Sequence, residues 1–413
     1  MKNSSPGPDT EQPLTETLAP VAVRPSERTT RIHYAIRDIM QVAQQARRDG
    51  KQLVYLNIGD PILYDFRTPA HLIEATYQAM LAGHNGYAPS TGIEEALQAI
   101  RAEAEQQGIR NIRDVFLASG VSEAVEVAVA GLLDTGENIL IPYPGYPLYE
   151  AIAAKLGLEA IPYYLDENNG WQPDPDEIAR RVNDKTRAIV VLHPNNPTGA
   201  ICSRAALSGI AAVAARHGLV ILCDEIYNKL LLDPVEYVSF AALAPELPVV
   251  TFNGLSKAYL APGFRMGWAI LSGDERGLTA YGEAMAKMLR SRLCANHPIQ
   301  YAVRPALQGS QQHIQETIAK LKRRRDLTVA MLNSPPHIRC FAPQAAFYAF
   351  PRLEVRRSDS EFVMELIRQT GILVVPGSGF GQSPGTKHFR IVFLPPEDTL
   401  RDALQRIADF ARS

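Results

Sequence analysis

Cysteine is scarce. Four residues, Cys202, Cys223, Cys294 and Cys340, stand far apart with no CxxC pair and no visible secretory leader, which argues against a disulfide framework or a zinc site. A reducing cytoplasm is the compartment expected. Long apolar runs are missing too: none reaches the roughly 18 residues that a membrane-spanning helix needs. Excess charge of either sign is also absent, since 42 Lys+Arg face 44 Asp+Glu for a net charge of −2, and so there is no electrostatic footprint for nucleic acid or an anionic lipid surface. Small molecules and further copies of the chain remain as partners.

What is present is ordinary globular composition, 46% hydrophobic and 21% charged, over 413 residues, more than one hydrophobic core usually serves. A large domain plus a smaller one is expected. Residues 1–20, rich in Pro, Ser, Thr and acidic side chains, read as a disordered tail. Ile36, Ile39, Met40, Ala43 and Ala46 have helical spacing and Gly50 follows as a stop, leading into a strand, LVYLNIG. From Pro69 to about Cys294, helical patterns alternate with short apolar runs, VFLAS, NILIP, AIVVLHP, LVILCDE and VVTFNGLS. Runs apolar throughout describe strands covered on both faces, hence an α/β domain with a mainly parallel sheet. After KLKRRRDL, read as a solvated helix face, FYAFPRL, ILVVPGSGF and HFRIVFLP suggest a smaller α+β domain. The expected division is 21–65 for the N-terminal part of the small domain, 66–304 for the large domain and 305–413 for the rest of the small one.

Several strands end directly on polar residues, and open α/β sheets bind ligands at such ends. Gly120-Val121-Ser122 opens a helix after VFLAS, leaving free N–H groups and a positive dipole end for an anion, although a plain serine cap reads equally well. Asn196 sits in the tight turn PNNPTG, where an Asx-turn is the alternative. Asp224 and Tyr227, in DEIY, follow a buried run, and a buried carboxylate requires a cation or N–H partner. In NGLSKAYLAPGFRMGW, Lys257 and Arg265 lie eight residues apart after another strand; a lysine attacks carbonyls only once deprotonated, which burial and a nearby cation favour. Together these strand ends offer an anion cradle (Gly120, Val121, Ser122, Arg265), a carboxylate for a ring nitrogen (Asp224), donors for a phenolic oxygen (Asn196, Tyr227) and an imine-forming amine (Lys257). Those are the complementary needs of pyridoxal 5′-phosphate.

PNNPTG, DEIY and NGLSKxYxxxGFRxGW, in this order and spacing, resemble the signatures of fold-type I pyridoxal-phosphate aminotransferases of class I/II, over nearly everything after residue 30. LNIGDPxxxDF, RLCANxPxQ, PQxAFYxFP and GSGFGxxxxxHFRxVFLPP look most like the alanine aminotransferase type. The resemblance implies that Lys257 holds the cofactor covalently, Asp224 keeps its ring nitrogen protonated and Tyr227 and Asn196 bond its ring oxygen. It implies further that Ser256 joins the cofactor site, Tyr143 stacks on the ring and Tyr87 reaches the phosphate in the neighbouring subunit of an obligate homodimer. Arg390 would grip the substrate carboxylate as a bidentate fork, helped by Asn196 and the Gly59 N–H. Tyr146 and Tyr34 are further pocket candidates, whereas His193 reads as packing. Where such enzymes commonly carry glycine after Pro-Gln, Ala345 stands here, which implies a narrower side-chain pocket.

The activity implied is a ping-pong amino transfer, L-alanine with 2-oxoglutarate giving pyruvate and L-glutamate, with no metal. An aminotransferase for aromatic, branched or basic amino acids, or a carbon-sulfur β-lyase, is the alternative on the same scaffold. A regulator that keeps the fold only to bind ligand would need a DNA-binding segment, and the N-terminal tail has neither the basic charge nor the helices for one.

Overall fold

The computed structural model describes residues 22–32, 35–274 and 277–412. The expected disordered tail and the pocket candidate Tyr34 lie outside them. The helix Ala35–Arg48 leads to a short strand, β1 (Val54–Tyr55). Next comes a sheet of eight strands: β2 (Ile112–Ala118), β3 (Asn138–Tyr143), β4 (Glu159–Asp166), β5 (Gln172–Pro173), β6 (Thr186–Leu192), β7 (Val220–Asp224), β8 (Val249–Gly254) and β9 (Gly267–Ser272). Their spatial order is β2-β9-β8-β7-β6-β3-β4-β5. The central run β8-β7-β6-β3-β4 is parallel, whereas β9 runs antiparallel to both its neighbours and β5 antiparallel to β4.

The apolar runs became buried strands because both faces are covered. Ile189, Val191, Ile221, Cys223 and Val249 join one core, and their chain neighbours Val190, Leu192, Leu222 and Val250 join the core on the other face. Three strands of this sheet were not visible in the sequence, the two-residue β5 among them. In β4 the run EAIPYYLD is interrupted by Pro162, which ordinarily argues against a strand away from an edge, and β9 is hidden behind the proline-glycine turn at Pro262.

Beyond the long helix Gln312–Leu332 come short strands: β10 (Ile338–Arg339), β11 (Tyr348–Ala349), β12 (Arg352–Leu353), β13 (Ile372–Leu373), β14 (Val375–Pro376) and β15 (Phe389–Val392). β15 lies antiparallel between β11 and β14, and β13 takes β1 as a parallel partner. The Lys-Arg run of the long helix is a solvated face only in part: Lys322 and Arg323 are exposed, and the two arginines after them are not. Arg324 and Arg325 are buried; Arg324 holds Asp65 at 2.8 Å and also bonds the Leu394 carbonyl, while Arg325 holds Asp233 at 2.6 Å and the Pro343 carbonyl at 2.6 Å. The guanidinium is the cation best suited to such burial, because its planar fork meets several oxygens at once. Among the described residues no helix is long and apolar enough to cross a membrane.

Candidate active site

The carboxyl ends of the parallel strands meet at a cavity of about 180 Å³ whose lining includes Ser122, Asn196, Asp224, Tyr227, Lys257 and Arg265. Each is carried there by the turn after a strand: Ser122 after β2, Asn196 after β6, Asp224 and Tyr227 at the end of β7, Lys257 after β8. Val121 and Ser256 join the same lining.

At one end the backbone forms a cradle. Gly120 precedes the helix Val121–Leu132 with φ of +90°, and a Cβ there would stand 2.4 Å from the Arg265 Nη2. Gly267 is equally constrained, since its Cβ would fall 2.4 Å from the Val121 nitrogen. The two glycines therefore let the guanidinium and a helix N-terminus converge, a geometry suited to a phosphate. Arg265 itself adopts left-handed backbone angles, and its Nη1 donates to the Pro262 carbonyl at 3.1 Å, so the turn folds the side chain back toward the cradle.

In the middle, Asp224 is buried and accepts from the Ile226 N–H and from the Tyr149 hydroxyl, each at 3.1 Å. Burial lifts its carboxyl to about 6, against the pull of those two donors and of the Lys257 charge. A cation against this carboxylate would restore its ionised form. The Lys257 Nζ donates to the Gly59 carbonyl at 3.0 Å. Burial, followed by the neighbouring Tyr348, raises the Tyr227 hydroxyl well above its ordinary range, so it stays a protonated donor.

At the other end Arg390 is buried with its Nη2 on the Asn57 carbonyl at 2.6 Å and its Nη1 3.4 Å from the Asn196 Oδ1. The guanidinium lies between the rings of Tyr348 and Phe380, 4.7 and 4.5 Å from their centroids. An oriented guanidinium beside an amine-bearing cavity suits a carboxylate whose neighbouring atom is to react.

One aromatic position lies elsewhere than the sequence expectation put it. Tyr143 lies outside the cavity lining: its ring packs on Gly381, where a Cβ would come within 2.3 Å, and its hydroxyl donates to Glu150 at 3.1 Å. Tyr143 is the last residue of β3, and the turn through Pro144 and Gly145 comes between it and Tyr146, which lines the cavity. Tyr87 is 83% exposed and outside this cavity. Ala345 is buried with its N–H on the Gly199 carbonyl and does not line the cavity, so the expected narrowing is not found there. His193 is a packing residue: its ring stacks on Tyr237 and burial lowers it to about 4. Sequence reasoning missed Tyr348 and Phe380. Both stand in motifs quoted for the resemblance, PQxAFYxFP and GSGFG, but no spacing rule marks an aromatic as the wall of an arginine.

The chain belongs to the family described as aminotransferase class I and II, which matches residues 51–407. It is an aminotransferase of pyridoxal-phosphate fold type I, and the site's donor set fits that cofactor: a phosphate cradle, a buried carboxylate short of a cation and a lysine in the same cavity lining. Among relatives, it is 38% identical to the glutamate-pyruvate aminotransferase AlaA of Haemophilus influenzae, over 93% of this chain and 97% of that one. It is 37% identical to the alanine aminotransferase of Mycobacterium tuberculosis, over 91% and 90%. The solved alanine aminotransferase of Pyrococcus furiosus superimposes with a TM-score of 0.91 at 38% identity, covering 94% of this chain and 100% of that one.

Proposed function

We propose that this aminotransferase moves the amino group of L-alanine to 2-oxoglutarate, yielding pyruvate and L-glutamate in two half-reactions. The observation that carries the reading is Arg265, Asp224 and Lys257 in one cavity lining, with Arg390 set behind it against the lining residues Asn196 and Tyr348, and the alanine-specific names of its relatives support the donor. When bound, the cofactor supplies an aldehyde that captures the amino group and a ring that withdraws electrons from the substrate Cα. The chain's own residues do the rest. The Gly120–Ser122 turn, Ser256 and Arg265 hold the phosphate, Asp224 stabilises a protonated ring nitrogen, Asn196 and Tyr227 bond the ring oxygen, and Tyr146 covers the ring face in place of Tyr143. Arg390, with Asn196 and the Gly59 backbone, orients the substrate carboxylate. The Lys257 Nζ, once free, takes the proton from the substrate Cα and returns it on the far side of the transfer.

The same reading divides the chain at residues near 65 and 304, places it in the cytoplasm and makes it a homodimer, with Tyr87 reaching the phosphate in a neighbouring subunit. The dimer has support in the helix Ala70–Leu81, where Ile73, Tyr77, Met80 and Leu81 expose one apolar face. Incubating the purified enzyme with single amino acids tests the function: L-alanine should convert the bound cofactor stoichiometrically to its amino form, and Lys257→Ala should abolish both turnover and the lysine-linked absorbance. Survival of both in the variant would sink the assignment, and repeated ammonia release from one amino acid would move the enzyme to the β-lyases.

A further inference from the structure

We propose that Tyr348 is a positioning residue that sets the proton affinity of the lysine-bound cofactor by orienting the hydroxyl of Tyr227. The inference rests on the reading above that Tyr227 bonds the cofactor's ring oxygen. Tyr348 is 3% exposed and belongs to β11, whose register sets Tyr348 opposite Val392 and Ala349 opposite Ile391, so the phenol reaches across from the strand next to Arg390. Its hydroxyl lies 3.0 Å from that of Tyr227, and the two rings meet edge to face at 5.8 Å. The same hydroxyl presses on Gly59, where a Cβ would come within 2.0 Å of it, and Gly59 in turn accepts from Lys257. Its ring meanwhile forms one wall of Arg390.

Each hydroxyl has a single hydrogen, and that decides the direction of the pair. Once an acceptor takes the Tyr227 hydrogen, the Tyr227 oxygen can only accept, and the Tyr348 hydroxyl is the donor placed to supply it. Hydrogen bonds in series polarise one another, so donation from Tyr348 makes Tyr227 a stronger donor to the ring oxygen. A stronger donor favours the ionised oxygen and thereby lowers the pH at which the lysine-linked chromophore loses its proton. One side chain thus has two separable parts, a ring that holds the carboxylate-binding arginine and a hydroxyl that acts through Tyr227.

The separation gives the test, run on cofactor-loaded enzyme by titrating the visible absorbance and by steady-state kinetics. In Tyr348→Phe the chromophore should titrate about half to one pH unit higher, a three- to tenfold change in proton affinity, while KM for the amino acid stays within about twofold because the ring remains on Arg390. Tyr348→Leu should show the same spectral shift and in addition raise KM by about tenfold or more, since the wall is lost. Tyr227→Phe should raise the titration at least as far, and adding Tyr348→Phe to it should move it no further. A wild-type titration in Tyr348→Phe, or a further shift in the double variant, overturns the inference alone. A lysine-linked absorbance that persists in Lys257→Ala overturns instead the reading on which it stands.

Discussion

Replacing Asp224 with Asn should stabilise the cofactor-free protein and weaken the loaded one. Burial raises the carboxyl from 3.8 to about 6 in the fold, roughly two units, which corresponds to about 3 kcal/mol. Because the folded value lies above the unfolded one, the native state binds its proton more tightly. The cost of ionisation therefore accumulates as pH rises from about 4 through 6, and the cofactor-free wild type is poorer by that amount at pH 8. Asn carries no charge and so escapes it. Its amide keeps an oxygen for the Ile226 N–H but turns an N–H group toward Tyr149, whose hydroxyl must then find another acceptor, a loss of about 1 kcal/mol. The net gain at pH 8 is about 2 kcal/mol. Urea unfolding of both cofactor-free proteins at pH 4, 6 and 8 measures it: the variant's advantage should grow with pH, and near pH 4, where the ionisation cost has almost gone and the Tyr149 loss remains, the variant should be slightly the less stable. With cofactor added the order should invert, because Asn offers nothing to a ring cation. A variant no more stable than wild type at pH 8, or a difference that ignores pH, would refute the reasoning.

Other substitutions probe other parts of the molecule. Gly267→Ala sets a methyl group against the Val121 nitrogen and should lower cofactor affinity by about tenfold or more, seen by equilibrium titration of the phosphate ester. Arg390→Lys removes the planar fork from between two rings and should raise KM for the amino acid by about a hundredfold, roughly 3 kcal/mol, in steady-state assays. Arg324→Ala withdraws a buried cation from Asp65, Glu397 and the Leu394 carbonyl; chemical denaturation should show a loss of about 2–4 kcal/mol, short of a fully buried pair because both carboxylates reach solvent. Tyr77→Glu charges the exposed apolar face of its helix and should shift sedimentation toward the monomer.

Much of the site was legible because each strand end pairs an apolar run with a residue that a buried position cannot tolerate without a ligand. Asp224 after LVILC and Lys257 after VVTFNGLS are conflicts between burial and charge, and such conflicts are visible in one dimension. The parallel strands were legible for a related reason, since coverage on both faces leaves no polar alternation. The aromatic residues were less so. Tyr143 and Tyr146 stand three apart in PYPGYP, and only the path of the turn decides which faces the cavity. Arg324 and Arg325 misled because a run of cations has the composition of a wet surface, and the oxygens that bury it come from Asp65, Asp233, Pro343 and Leu394, far away in sequence. The reversed strand β9 gave no periodic signal of its reversal.

That reversal has a consequence for how the site keeps its dimensions. In a wholly parallel sheet, two anchors for one ligand would come from separate crossovers, each free to drift as the intervening helix repacked. Here β8 and β9 pair in one hairpin, Gly254 opposite Gly267, closed by the Leu255 N–H on the Met266 carbonyl at 3.0 Å. Lys257 and Arg265 both lie within that single closed loop. The spacing between aldehyde and phosphate is then gauged by twelve residues clamped at both ends, and the helices around the sheet can change without recalibrating it.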